Sequence, residues 1–331
     1  TTLFRSAHGK YSDKTWSQFC GTFHEFRRQA GLELTRQQHQ IEKQIAKHAS
    51  IDHYREFYKE EVLPWHEKFP KSVATGRFKK ILVGSDFHDI DVDPFVLSVF
   101  LDTAARLQPD IIVLNGDILD NYEFSNFTQD PRQFKVKERF DFVKNRIFAP
   151  LRKLCPKSQI DFIIGNHEYR VLRVIADRTS ALRVVLSDVM GLSLADIFGL
   201  KEFEINLISK LDLGAFTATE TNLEIKQNFK VYYETFVCSH YKDLAYGVSG
   251  TSGHTHKPEF QVLENIPRGK ISWTTTGCLA KTTVEYTHAI DRYTNGFMYA
   301  IVDTQKLYVQ PASIVIPGDF ALVEGKLYSR K

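Results

Sequence analysis

Lys80-Ile81-Leu82-Val83-Gly84-Ser85-Asp86-Phe87-His88 decides how this chain is read. A short apolar run narrowing to Gly-Ser predicts a strand buried on both faces. The run delivers an acid and a histidine one residue apart. A helical stretch follows, Pro94 to Leu107, and then a second apolar run, Asp110 to Leu114, which closes on Asn115-Gly116-Asp117. A second helix is expected over 134–153. The third run, Ile160 to Ile164, closes on Gly165-Asn166-His167-Glu168. This β-α-β-α-β alternation predicts a layered α/β domain with parallel strands. All three motifs fall at the carboxyl ends of strands, where the loops of an open α/β sheet converge on a ligand.

Residues 169–230 break the alternation with apolar helical stretches (Val171–Ile175, Ala181–Met190, Leu194–Leu200), and an insertion on the substrate side is expected there. Residues 231–238, VYYETFVC, read as one strand that delivers Ser239-His240. Gly253-His254-Thr255-His256 lies in a loop rich in Gly, Ser and Thr. Beyond residue 258 the text is strand-like, most clearly at Trp273–Thr276 and Phe297–Val302.

Upstream, residues 12–66 read as helical. Trp16, Phe19, Phe23 and Phe26 recur at the spacing of one helix face, Gly31 is a stop, and Thr35 caps the next helix. Residues 70–79 look like a linker, so 1–78 is expected to be a helical extension and 79–331 the main domain. Residues 1–80 carry 15 Lys and Arg against 9 Asp and Glu. That excess leaves open both a solvated basic surface and a contact with nucleic acid. No base-reading signature accompanies it.

Composition excludes several classes. With 43% hydrophobic and 25% charged residues, the chain is an ordinary globular one. No apolar run approaches the roughly 20 residues of a membrane helix. The start, TTLFRSAHGK, carries no apolar h-region, and Cys20, Cys155, Cys238 and Cys278 form no CxxC pair. A reducing, cytoplasmic setting is therefore expected.

The chemistry lies in the motif set. Five of the six histidines beyond residue 80 belong to it. In an extended segment Asp86 and His88 would point to one side and reach one ion. Asp117 has two oxygens with which to bridge two cations. Asn166 offers a carbonyl oxygen, and His240, His254 and His256 offer imidazole nitrogens. A mixed N/O set without thiolate suits manganese first, with iron, zinc or magnesium as alternatives. Two ions about 3.5–4 Å apart would clamp a phosphate and hold a bridging hydroxide. His167 is the expected proton donor to the leaving oxygen, with Glu168 orienting its ring. Arg170 is expected to contact substrate phosphate through its guanidinium fork. Asp120 offers second-sphere support or a turn role, and Tyr241 and Lys242 are plausible cleft walls. His288 has no motif around it.

This ordered set, D-x-H, G-D, G-N-H-E, H and G-H-x-H, resembles the calcineurin-like metallophosphoesterases. The resemblance implies a two-sheet β-sandwich flanked by helices. It implies one metal on Asp86, His88, Asp117 and His256, a second on Asp117, Asn166, His240 and His254, and His167 as general acid. Gly116–Asp120 running on to Ser125–Phe127 and Asp130-Pro131, with Gly165–Arg170, is similar to a subgroup common in bacteriophage genomes. A phage origin would place the protein in the host cytoplasm. The expected activity is phosphoester hydrolysis. A nuclease or phosphodiesterase comes first, favoured by the basic front and by a resemblance of the His-bearing motifs to the exonuclease subunit of double-strand-break repair complexes. A protein or small-molecule phosphomonoesterase and a nucleotide phosphodiesterase are the alternatives. A catalytically dead scaffold is the different class, and the complete ligand set argues against it.

Overall fold

The computed structural model describes residues 76–125, 130–178, 184–210, 228–265, 268–282 and 293–330, with isolated positions at 31, 36, 39, 40, 43 and 181. Apart from those isolated positions, the helices expected over 12–66 lie outside the described residues, as do Cys20 and His288. The chain divides into two units, Thr1–Val73 and Ala74–Lys331, and the second carries all five motifs.

The spine of this second unit is a six-stranded sheet. Strand β1 (Phe78–Gly84) pairs in parallel with β2 (Ile111–Asn115), and β3 (Gln159–Ile163) and β4 (Ile205–Ile208) extend the parallel set. On the other side of β1, β10 (Asn295–Asp303) and β11 (Tyr308–Ile316) add antiparallel strands. The second sheet has five strands in the order β5 (Phe229–Tyr232), β6 (Phe236–Ser239), β7 (Ser249–Ser252), β9 (Gly269–Thr275) and β8 (Glu259–Asn265). Within it β6, β7 and β9 run parallel. A terminal hairpin, β12 (Phe320–Val323) and β13 (Lys326–Ser329), completes the fold.

The two-residue alternation of the strands sorts their side chains into two cores. Leu82, Ile112, Leu114, Ile160 and Phe162 face the helices, meeting Val96 and Phe100 of α1 (Pro94–Leu107) and Phe148. Ile81, Val83, Ile111, Val113 and Ile163 face the other way and pack with Tyr232, Phe236 and Cys238 of the second sheet. The expected two-sheet sandwich with flanking helices is the observed architecture. Asp93 caps α1, accepting from the N–H groups of Phe95 and Val96, and Pro94 takes the first turn, where no N–H is needed. The helix expected over 134–153 is α2 (Val136–Val143), a π turn (Lys144–Phe148) and α3 (Ala149–Leu154).

One polar group is buried between the layers. Asp161 on β3 accepts from Tyr232 Oη (2.7 Å), Lys230 Nζ (2.8 Å), Gln159 Nε2 (2.8 Å) and Asn206 Nδ2 (2.9 Å). These donors satisfy a carboxylate that burial would otherwise penalise, and they tie β3 to β4 and β5.

Two readings need correction. The alternation continues past residue 169: α4 (Asn166–Arg178) and α5 (Leu194–Ile197) lead to β4, a fourth parallel strand. Its text, INLI, is too short and too half-polar to announce a strand. The run VYYETFVC is a hairpin rather than one strand. Tyr233 and Glu234 turn it with φ of +50° and +59°, although neither is a residue that favours that region.

Among the described residues no helix is long and apolar enough to cross a membrane. Cys155, Cys238 and Cys278 are buried and unpaired.

Candidate metal centre

Every expected ligand follows the carboxyl end of a parallel strand. Asp86 and His88 follow β1, Asp117 follows β2, and Asn166 follows β3. His240 follows β6, and His254 and His256 follow β7. The first four come from one sheet and the last three from the other, so the centre lies on the lip where the sheets meet. Asn115 joins them there: its Nδ2 donates to the Ser239 carbonyl (2.9 Å) and its own carbonyl lies 2.9 Å from His240 Nδ1.

The loops reach the centre through unusual backbone. Asp86, His88, Asp117, His254 and His256 all have positive φ, between +53° and +69°. The left-handed region is costly for residues with a Cβ, and such strain gathers at functional sites. Asp86 and His88 therefore converge by two left-handed turns, not as neighbours on an extended strand.

The ligand atoms fall into two groups. In the first, His256 Nε2 is 3.2 Å from Asp86 Oδ1 and 3.3 Å from His88 Nε2. In the second, His240 Nε2 is 3.1 Å from both Asp117 Oδ2 and Asn166 Oδ1, and His254 completes the group. Asp117 also lies within ligand reach of His88 and His167, which puts it between the two groups. Asp86, Asp117 and His240 are fully buried or nearly so, while His254 is exposed and marks the open side.

The electrostatics suit cations. Burial pulls His240 and His256 down, but Asp117 holds the first up at about 9 and Asp86 holds the second up at about 11. Burial pushes Asp86 up, and the neighbouring His256 brings it down to about 2. Partial desolvation, and then the charge of neighbouring His240, lower His254. Two carboxylates that draw protons this strongly onto imidazoles will also draw divalent ions, which compete with those protons. The donor set and its convergence fit two divalent metals.

The surrounding residues fix the ligands. Gly165 admits no side chain, since a Cβ there would lie 2.2 Å from Asp117 Oδ1. Gly116, at φ +85°, would put a Cβ 2.4 Å from His240 Nδ1. The ring of Tyr241 leans on His254 (centroids 4.5 Å) and that of Tyr293 on His256 (4.6 Å).

His167 stands beside Asp117, its Nε2 3.8 Å from Oδ2. Its Nδ1 lies 2.6 Å from Asp120 Oδ1, and Arg170 Nη2 lies 3.1 Å from its Nε2. Asp120 is thus the residue that orients the ring. Glu168 is not. Its Oε1 accepts from the N–H groups of Ile118 and Leu119, and its Oε2 from those of Asp117 and Gly165, at 2.8–3.0 Å. Burial and then the Asp117 charge push Glu168 up to about 7, against the pull of those four donors. Glu168 is the clasp of the loops that carry Asp117 and Asn166. The first turn of α4 aims its side chain inward, away from the His167 ring.

One supporting layer had no signal in the sequence. Asp89 is fully buried, its Oδ2 accepts the Asp120 N–H (2.8 Å), and its Oδ1 meets Arg139 Nη1 at 2.5 Å. An acid and an arginine 50 positions apart form no motif, so only the folded chain pairs them.

No family model matches the chain, and no curated protein does. Solved structures similar to it include Vps29 from Entamoeba histolytica complexed with zinc (12% identity over 75% of this chain and 96% of that one, TM-score 0.34). A dimetal phosphatase from Danio rerio is similar at 11% identity over 72% and 98%, TM-score 0.36. A phosphoesterase from E. coli is similar at 15% identity over 72% and 99%, TM-score 0.30. At such distances the case for the site rests on its own side chains.

Proposed function

We propose that this protein is a dinuclear-metal-dependent phosphoester hydrolase of the calcineurin-like type, cutting phosphodiesters of nucleic acids or nucleotides. One observation carries the reading: two groups of N and O donors share Asp117, and beside them stands a histidine held by a carboxylate. Asp86, His88, Asp117 and His256 would hold one ion, and Asp117, Asn166, His240 and His254 the other. Bound there, the pair supplies Lewis acidity and lowers the pKa of water, manganese being the first choice.

The protein's own residues do the rest. Asp86 and Asp117, buried and ionised, fix the charge of the centre. Asp120 holds His167 by Nδ1, so that Nε2 is the atom that hands a proton to the leaving oxygen. With Arg170 against it, Nε2 is an acceptor. A phosphate that draws the guanidinium onto its own oxygens frees Nε2 to take up a proton from water, which it then hands to the leaving oxygen. Arg170 thereby binds substrate and releases the acid in one movement. The stretches Gly116–Asp120 and Gly165–Arg170 support a place in the phage-type subgroup.

The test is turnover of a nitrophenyl phosphodiester against its monoester by chain stripped of metal and reloaded with Mn²⁺. Diester preference with two metals bound per chain is expected. Monoester preference makes the protein a phosphatase, and failure to bind two metals defeats the reading altogether.

A further inference from the structure

The ladder that joins β1 to β2 does not stop with the strands. Beyond Gly84, the Asp86 N–H donates to the Gly116 carbonyl (3.0 Å), that of His88 to Asp117 (3.0 Å) and that of Asp89 to Ile118 (2.9 Å). The loops bearing Asp86, His88 and Asp117 thus run side by side. The next rung is a side chain. Asp89 Oδ2 accepts the Asp120 N–H (2.8 Å), while Oδ1 accepts the Ile90 N–H (2.6 Å). Asp120 in turn meets Nδ1 of both His88 and His167. Asp89 therefore sets the backbone of the residue on which both rings hang.

Asp89 is itself set from outside the motifs. Arg139 on α2, nearly buried, meets Asp89 Oδ1 through Nη1 (2.5 Å) and lies 3.8 Å from Asp91 Oδ2. Its Nε is 3.3 Å from Glu123 Oε1, an oxygen that also accepts the Lys135 N–H (2.7 Å) at the start of α2. One guanidinium thereby joins the 3-10 turn after β1 (Asp89–Asp91) to the one after β2 (Tyr122–Phe124). Such buried pairs are costly to desolvate, and apolar residues often replace them without loss of stability. Val143 and Phe140 already seat α2 against the core. What the pair adds is direction: an acceptor fixed beneath the Asp120 N–H.

We propose that Arg139 is a positioning residue of the metal centre, acting through Asp89 to hold Asp120 at the angle that serves His88 and His167. The assignment rests on the phosphoesterase reading and extends its machinery to α2. Loosening Asp120 tells most where His167 must give a proton, and least where the leaving group needs none.

The test is the kcat ratio of thymidylyl-thymidine over thymidine 5′-(nitrophenyl) phosphate, with full chain reloaded with Mn²⁺. The amount of active chain cancels in this ratio, so a variant that folds poorly is still read. Arg139→Gln should lower it about tenfold. Arg139→Lys keeps a cation for Asp89 without the planar reach to Glu123, and should lower it about threefold. In an Asp120→Asn background, Arg139→Gln should change the ratio by about twofold at most, because both act through one carboxylate. A chain that cuts only monoesters is read by ethyl over nitrophenyl phosphate. Before metal is added, the ring-nitrogen NMR signals of His88 and His167 should move in Arg139→Lys while those of His240 stay. A wild-type ratio in both variants, or a loss that Asp120→Asn does not absorb, would reduce Arg139 to a structural pair. Unmoved rings would overturn the role whatever the activity. If no ester is turned over while the two rings move, the positioning role stands and the hydrolase reading falls.

Discussion

His167 Nδ1 lies 2.6 Å from Asp120 Oδ1, and the same oxygen lies 3.2 Å from His88 Nδ1. One carboxylate, nearly buried, thereby holds both the proposed proton donor and a proposed metal ligand. Burial would raise its pKa, but the bonds from His167 and His88 keep it ionised far below the usual carboxylate range. Asp120→Asn keeps the shape and removes the charge, leaving either ring free to take the wrong tautomer. Activity should fall about 10- to 100-fold, the usual cost of losing a partner behind a metal ligand. Metal affinity should weaken with it, as titration of stripped variant will show. Full activity with unchanged metal binding would contradict this role.

His167 lies within reach of His88 and Asp117 but is not one of the seven donors proposed to hold the ions. His167→Gln should keep two metals per chain by elemental analysis and lose about 10²–10⁴-fold in kcat on an alkyl ester. On a nitrophenyl ester, whose leaving group needs no proton, the loss should be far smaller. Equal losses on both esters would remove His167 from the proton-donor role.

Glu168 belongs to the fold before it belongs to the chemistry. Glu168→Gln sets an NH₂ group against N–H groups that need an acceptor. Unsatisfied buried donors cost about 1–3 kcal/mol each, so the melting temperature should fall by several degrees. The pH dependence of kcat in what remains active should keep its shape, because the side chain does not touch the His167 ring. A displaced acidic limb with unchanged melting would restore the ring-orienting role.

The C-terminal hairpin is pinned to α1 through Asp102, which accepts from Tyr328 Oη (2.5 Å), Lys326 Nζ (2.9 Å) and Arg106 Nε (3.0 Å). The Tyr328 bond first, and then the two cations, lower its pKa from 3.8 to about 2. A carboxylate depressed on folding contributes stability that is complete above the unfolded value and is lost as pH falls through the folded one. The contribution should therefore be full above pH 3.8 and gone below about pH 2. In Asp102→Asn that share of the acid sensitivity should be missing from urea titrations run between those limits. A wild-type-like acid profile would discount the pin.

Much of this protein can be read from its text. Strands β1, β2 and β3 are legible because buried parallel strands need nearly unbroken apolar runs. The seven candidate ligands are legible because acids, histidines and an asparagine gathered at strand ends have few other uses. Proximity in the chain misled at Glu168, because the direction a side chain takes in the first turn of a helix is set by packing. It also hid Asp89 with Arg139 and Asp161 with its donors, which are pairings across 50 residues or between layers. The sequence by itself determined the order of the motifs and the chemistry of their atoms, since both are local properties. Only the tertiary structure decided that two sheets meet along one lip and that five left-handed residues turn their side chains inward there. The reason is physical: convergence depends on burying both faces of the first sheet at once, and no local segment encodes that.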